Sequence, residues 1–151
     1  MTSVREFRKY LKETGIYSLS TMEEDLKKIN PEEKDPQKFR YEIARWQGLK
    51  LALSHFLNTL YFEMLNFKIG LEHEMKKTKS KGGRVILIDL EKKMNQILAF
   101  REEVLATGSF TNRELFGLNQ QNFLLKMGNL RKVLRDYLEE LQPFEKSLLM
   151  D

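Results

Sequence analysis

Apolar residues recur along most of this chain at intervals of three and four, the period at which side chains line one face of an α-helix. The longest such run follows Pro36 and continues without another proline to about Lys77. Phe39, Ile43, Trp46, Leu53, Leu57, Leu60, Met64, Phe67 and Leu71 are spaced 4-3-7-4-3-4-3-4, a heptad seam with one gap where Lys50 replaces an apolar residue beside Leu49. A second row, Leu51, Phe62, Leu65 and Ile69, runs along another side, with Ala52 and Phe56 between the two. A helix apolar on most sides is expected to be surrounded by other helices.

The same period predicts a helix over residues 85–106, on Leu87, Leu90, Met94, Ile97 and Val104, with Arg101 interrupting. Its opening, Val85 to Ile88, has strand composition, but a single strand would have no partner here. The last helix, from about residue 111 to 142, carries the most regular seam: Phe123, Met127, Leu130, Leu134, Tyr137, Leu141, Phe144 and Leu148. Pro143 within that seam predicts a kink or a short separate terminal helix. Ser3 with Glu6, Ser20 with Glu23 and Thr111 with Glu114 have the spacing of capping boxes, and Asp35-Pro36 reads as a fourth helix start. A first short helix therefore runs over residues 4–14, on Val4, Phe7, Tyr10 and Leu11, and stops at Gly15. A second, over 21–29, presents Met22, Leu26 and Ile29 and ends at Asn30-Pro31.

Together these elements predict an all-α fold. It is an antiparallel helical bundle of three long helices, 36–77, 85–106 and 111–142, with two short N-terminal helices, all in one domain over residues 1–151. The first of the long helices is about twice the length of the next. Part of its seam must then be covered by the two short helices or by a second copy of the chain, so a homodimer is expected.

Composition narrows the setting. With no Cys among 151 residues, disulfides, thiolate metal sites and cysteine nucleophiles are all excluded, as suits a reducing, cytoplasmic compartment. The first residues lack the apolar stretch of a secretory signal. The most apolar region, 49–71, contains Lys50, His55, Glu63 and Lys68, which argues against a membrane span. The net charge is +4, and residues 76–84 alone carry five basic and no acidic side chains. Lys76, Lys77, Lys79, Lys81 and Arg84 are therefore the candidate anion-binding residues, with Gly82 and Gly83 leaving backbone N–H groups open to a phosphate. A solvated turn whose lysines suit the C-terminal end of a long helix accounts for the same residues. A protein tracking a phosphate backbone spreads its basic residues over a face, so nucleic acid is not the expected partner.

Catalytic and metal chemistry find little support. The two histidines, His55 and His73, stand in no E-x-x-H or H-x-x-x-H pair, and neighbours such as Glu72-His73-Glu74 point about 100° apart on a helix. No metal and no cofactor are expected. The acidic doublets Glu23-Glu24, Glu32-Glu33, Glu102-Glu103 and Glu139-Glu140 read as solvated helix faces and caps, and no Ser, His and Asp set assembles.

One segment, Leu53-Ser54-His55-Phe56-Leu57-Asn58-Thr59-Leu60, resembles the phosphoacceptor stretch of histidine-kinase dimerisation and phosphotransfer domains. The resemblance implies His55 as phosphoacceptor on a bundle helix, with Ser54, Leu57 and Thr59 at matching places. It departs from that pattern at Phe56, where kinases carry an acidic residue, at Leu60, where they carry proline, and at Asn58-Thr59, where phosphotransfer modules carry Lys-Gly.

The expected function is non-enzymatic: a helical bundle acting as an adaptor, chaperone or scaffold through protein–protein contacts. Phosphotransfer through His55 and anion binding through 76–84 are the alternatives. The C-terminal Phe144, Leu148, Leu149 and Met150, apolar beyond a proline, are the candidate partner interface.

Overall fold

The computed structural model describes residues 3–78, 81–107 and 113–145, which are almost wholly helical; among them no residue is in a strand. The elements are α1 (Val4–Tyr10), a π-helical turn (Leu11–Gly15), α2 (Ile16–Lys27), α3 (Pro36–Thr78), α4 (Lys81–Ala106) and α5 (Arg113–Leu141). A single 3-10 turn, Gln142–Phe144, follows α5, so Pro143 does break the last helix.

The two expected N-terminal helices are one. Ser3 caps α1 as its spacing predicts, its hydroxyl accepting from the Glu6 amide at 3.1 Å. Gly15 does not end the helix, because it keeps a right-handed conformation (φ −60°, ψ −59°) rather than the left-handed one of a C-terminal stop. Ser20 caps nothing; it lies inside α2, and Glu23 turns inward instead. The wide turn explains how the helix continues. Leu11 and Leu19 would stand about 80° apart on a uniform α-helix. The π turn takes up the extra residue, so that both side chains are fully buried.

Asp35 starts α3 through its carboxylate, which accepts from the Gln37 amide at 2.9 Å. Four helical rods then alternate in direction. The N-terminal rod runs against α3, with the Phe7 and Phe67 rings stacked at 4.5 Å. It also runs against α5, where Arg8 donates to the Leu138 carbonyl and Gln120 donates to those of Leu26 and Ile29 at 2.9 and 2.7 Å. Lys68 meets Glu91 at 3.4 Å and Arg101 donates to the Asn58 side chain at 2.9 Å, which sets α4 antiparallel to α3. Phe100 meets Phe123 edge-on, while Ile86 and Asp89 share a cleft with Glu140 and Leu141, so α4 and α5 are antiparallel too. The result is an up-down-up-down four-helix bundle.

The α3 seam from Trp46 to Leu71 is internal, as is the α5 seam to Leu141. Each large side chain buried there contributes roughly 1.5–3 kcal/mol. Phe39 and Ile43, nearer the start of α3, are half-buried. Phe39 leans on Phe116 with the Arg113 guanidinium over its ring. The length of α3 therefore does not by itself require a second copy: helices of this chain meet its seam over most of its run. In α4 the buried row is Ile86, Leu90, Met94, Ile97, Phe100 and Val104. Leu87 is only half-buried, and Arg101 does not interrupt the seam because it lies beside it, turned to Asn58. Gly82 and Gly83, read from sequence as a turn, belong to the first turn of α4. Glycine's helix penalty is smallest there, where backbone amides lack intrahelical partners in any case.

Candidate functional site

Of the second apolar row of α3, Leu65 is half-buried against the core, and the other three members are left uncovered by the bundle. Leu51, Phe62 and Ile69 are 69, 53 and 50% exposed, and on an α-helix they fall within about 20° of one another. They lie on the side opposite Met64 and the rest of the internal seam. The expectation that this helix is surrounded fails for a geometric reason. In a four-rod bundle each helix buries one stripe and part of its flanks, and the outermost third stays in water.

What that outer third is made of sets it apart. From Ala44 to His73 the exposed positions are Ala44, Gln47, Gly48, Leu51, Ala52, His55, Thr59, Phe62, Asn66, Ile69 and His73. None is Lys, Arg, Asp or Glu, although such residues make up 32% of the chain. The charged residues of the same stretch are set to the sides. Arg45 pairs with Glu42 at 3.4 Å, Lys50 donates to the Thr107 carbonyl and Lys68 spans Glu72 and Glu91. Gly48 lies on the face, and a Cβ there would meet nothing within 4 Å. Mid-helix glycine costs about 1 kcal/mol relative to alanine, and nothing within the described chain requires it here. Small residues at 44, 48 and 52 leave a flat place on which another helix can approach closely.

His55 sits in this face. It lines a shallow groove of about 430 Å³ against the N-terminal rod, whose facing side chains include Tyr10, Thr14, Tyr17, Ser18 and Thr21. The Tyr10 hydroxyl in the groove has no hydrogen-bond partner, and burial, with Glu63 nearby, pushes it up to about 12. Thr59 donates to the His55 carbonyl at 3.0 Å. No Lys or Arg lines the groove, so the cation that would steady a phosphoryl group on His55 does not come from its walls.

Three members of the basic segment have described side chains. Lys76 and Lys77 are exposed in the last turns of α3, Lys77 lying 4.0 Å from Glu74, and Arg84 is exposed in α4. Lys79 and the side chain of Lys81 lie outside the described residues. So do Leu148, Leu149 and Met150; Phe144, the described member of that group, is half-buried against the core. Among the described residues no cluster of His, Asp and Glu could hold a metal ion, and no helix is long and apolar enough to cross a membrane.

A feature missed in the sequence lies between α4 and α5, whose backbones approach less closely than those of α3 and α4 or α2 and α5. Along that seam Glu103 accepts from Asn122 at 2.9 Å and pairs with Lys126. Nearer the end of α5, Asp89 pairs with Lys93 at 2.6 Å, and its charge acts on Glu140. The local sequence places Glu140 in a solvated doublet; only the packing of two helices brings it to Asp89. In comparisons with protein-family models, curated proteins and solved structures, nothing matches this chain.

Proposed function

We propose that this protein is a non-enzymatic helical bundle that works through protein–protein contacts, and that it forms a homodimer through the outward face of α3. The observation that carries this reading is the absence of charge at every exposed position from 44 to 73 of α3, around Leu51, Phe62 and Ile69. A two-fold interface sets a surface against its own copy, so any net charge on it would meet its like; a face free of charge carries no such penalty. The stretch is about 45 Å long, and a helix face about 10–12 Å wide offers on the order of 500 Å² per copy before its flanks are counted. With the flanks it approaches the roughly 800 Å² per partner of a standard interface.

Size-exclusion chromatography with light scattering, over a wide concentration range, tests the reading. The wild type is expected at twice the 18.0 kDa chain mass. Phe62→Glu, at an exposed position, is expected to be a folded monomer. A wild type that stays monomeric, or a Phe62→Glu variant that stays dimeric, overturns it.

The exposure of His55 near the middle of a bundle helix favours a second reading, phosphotransfer through that residue. Incubation with a phosphorylated response regulator would label the wild type and leave His55→Ala unlabelled. No transfer, with a working control, ends this reading.

A further inference from the structure

Where α4 and α5 diverge there is a cleft of about 500 Å³, within the range of small-molecule sites. Ile86, Ile88, Leu141 and Phe144 supply apolar wall. Ile88 is 54% exposed.

Two features give the cleft a chemistry. Tyr137 is part of its wall and is 1% exposed, yet its hydroxyl has no hydrogen-bond partner. A buried hydroxyl left unpaired is costly, and in a cavity wall it marks a place where a ligand's polar group can be received. The second feature is an excess of acid. Asp89 and Glu140 both line the cleft and meet as like charges, and Asp136 acts on Glu140 as a further one. Lys93, outside the lining, is committed twice, to Asp89 at 2.6 Å and to the face of the Tyr137 ring at 4.4 Å, and Lys92 is the base of the wall itself. Two carboxyl groups against one ammonium group in the lining favour a ligand that brings positive charge, because it relieves the repulsion between Asp89 and Glu140.

We infer that this cleft is a binding site for an amphipathic organic ammonium ion, its apolar body between Ile88 and Phe144 and its N–H groups directed to the Asp89–Glu140 pair and the Tyr137 oxygen. A primary ammonium has three donors, and Asp89, Glu140 and Tyr137, all in the lining, are three groups that can accept them. The site is separate from the α3 face, so it stands or falls independently of dimerisation.

The test uses the full-length protein and calorimetric titration with n-hexylammonium, n-hexanoate and n-hexanol as probes. Hexylammonium is expected to bind at least about tenfold more tightly than the other two. Tyr137→Phe, which keeps the ring, and Glu140→Gln, at an exposed position, are each expected to weaken it by about five- to tenfold. Hexanoate binding as tightly as hexylammonium would mean that the lysines read the ligand, and would overturn the assignment. Equal binding of hexanol would show an apolar slot without charge recognition, with the same consequence. So would the absence of binding by hexylammonium at up to about 10 mM.

Discussion

Arg131 holds Glu23 with two guanidinium nitrogens, at 2.8 and 3.2 Å, and in doing so locks α5 to α2 at a level where Glu23 is 5% exposed. The guanidinium is the more exposed partner, with 31% of its side chain in solvent, so the two truncations are unequal. Glu23→Ala leaves a cation that can turn to water and is expected to cost about 2 kcal/mol. Arg131→Ala leaves a carboxylate in the interior and is expected to cost more, about 3 kcal/mol. Urea unfolding of both variants measures the difference; equal costs would mean that the pair is solvated in solution.

The π turn makes a second prediction. Leu11 and Leu19 are both fully buried with one residue too many between them for a uniform α-helix. Deleting the exposed Thr14 restores regular spacing without moving any buried side chain of α1 or α2 to another face. The deletion is expected to change stability by no more than about 1 kcal/mol, within the range of ordinary surface changes. Deleting Glu24 instead rotates Leu26 and Ile29 by about 100° from the core and is expected to cost several times more. Thermal unfolding of the two deletions, compared side by side, decides whether the wide turn is only a register device.

Much of this fold was legible in the sequence because it rests on periodicity. The seams of α3 and α5, the Ser3 and Asp35 caps and the break at Pro143 follow from local spacing, and local spacing is what those features are made of. Gly15 and Ser20 misled for the same reason: each has the form of a helix end, and neither is one, because burial of Leu11, Leu19 and Leu26 against α3 and α5 outweighs a local stop signal. Arg101 looked like a gap in a seam, since the sequence does not show that Asn58 of another helix receives it. The candidate sites were less legible still. The row Leu51, Phe62 and Ile69 was visible, but whether it faces protein or water depends on how many rods the bundle has. The cleft at Tyr137 needs Asp89 and Glu140, which are distant in sequence and near only in the fold.

Acid titration should separate two carboxyl groups of opposite sign. Glu103 lies below its ordinary value of 4.5, chiefly through the hydrogen bond from Lys126 and also that from Asn122, with burial opposing. A carboxyl lowered in the folded state contributes stability that is present above its unfolded value and lost as pH falls through the folded one. Glu103→Gln is therefore expected to be less stable than wild type at pH 7 and to converge with it in acid. Glu140 is raised, first by burial and then by Asp89, with Lys93 opposing. Its charged form weakens the fold as pH rises through the folded value, so Glu140→Gln is expected to gain stability at pH 7 and to lose that gain on acidification. Urea midpoints from pH 3 to pH 7 check both; parallel curves for the two variants would contradict the assignment.

Gly48→Ala separates a lone bundle from a paired one. In the monomer a Cβ at this position meets nothing within 4 Å, so the change removes a flexible residue from the middle of a long helix at no steric cost. The folded monomer should gain up to about 1 kcal/mol. If a second α3 lies against Gly48, the same methyl pushes the two backbones apart, and close helix packing tolerates that poorly. The prediction is a divergence: thermal stability measured at a concentration where the chain is monomeric rises, while the dimer dissociation constant from sedimentation equilibrium increases by about tenfold, or 1.4 kcal/mol. Gly128→Ala, in α5 and away from this face, where a Cβ likewise meets nothing within 4 Å, controls for helix propensity and should leave the dimer unchanged. If Gly48→Ala stabilises the monomer and leaves association untouched, any dimer contact lies away from residues 44–52.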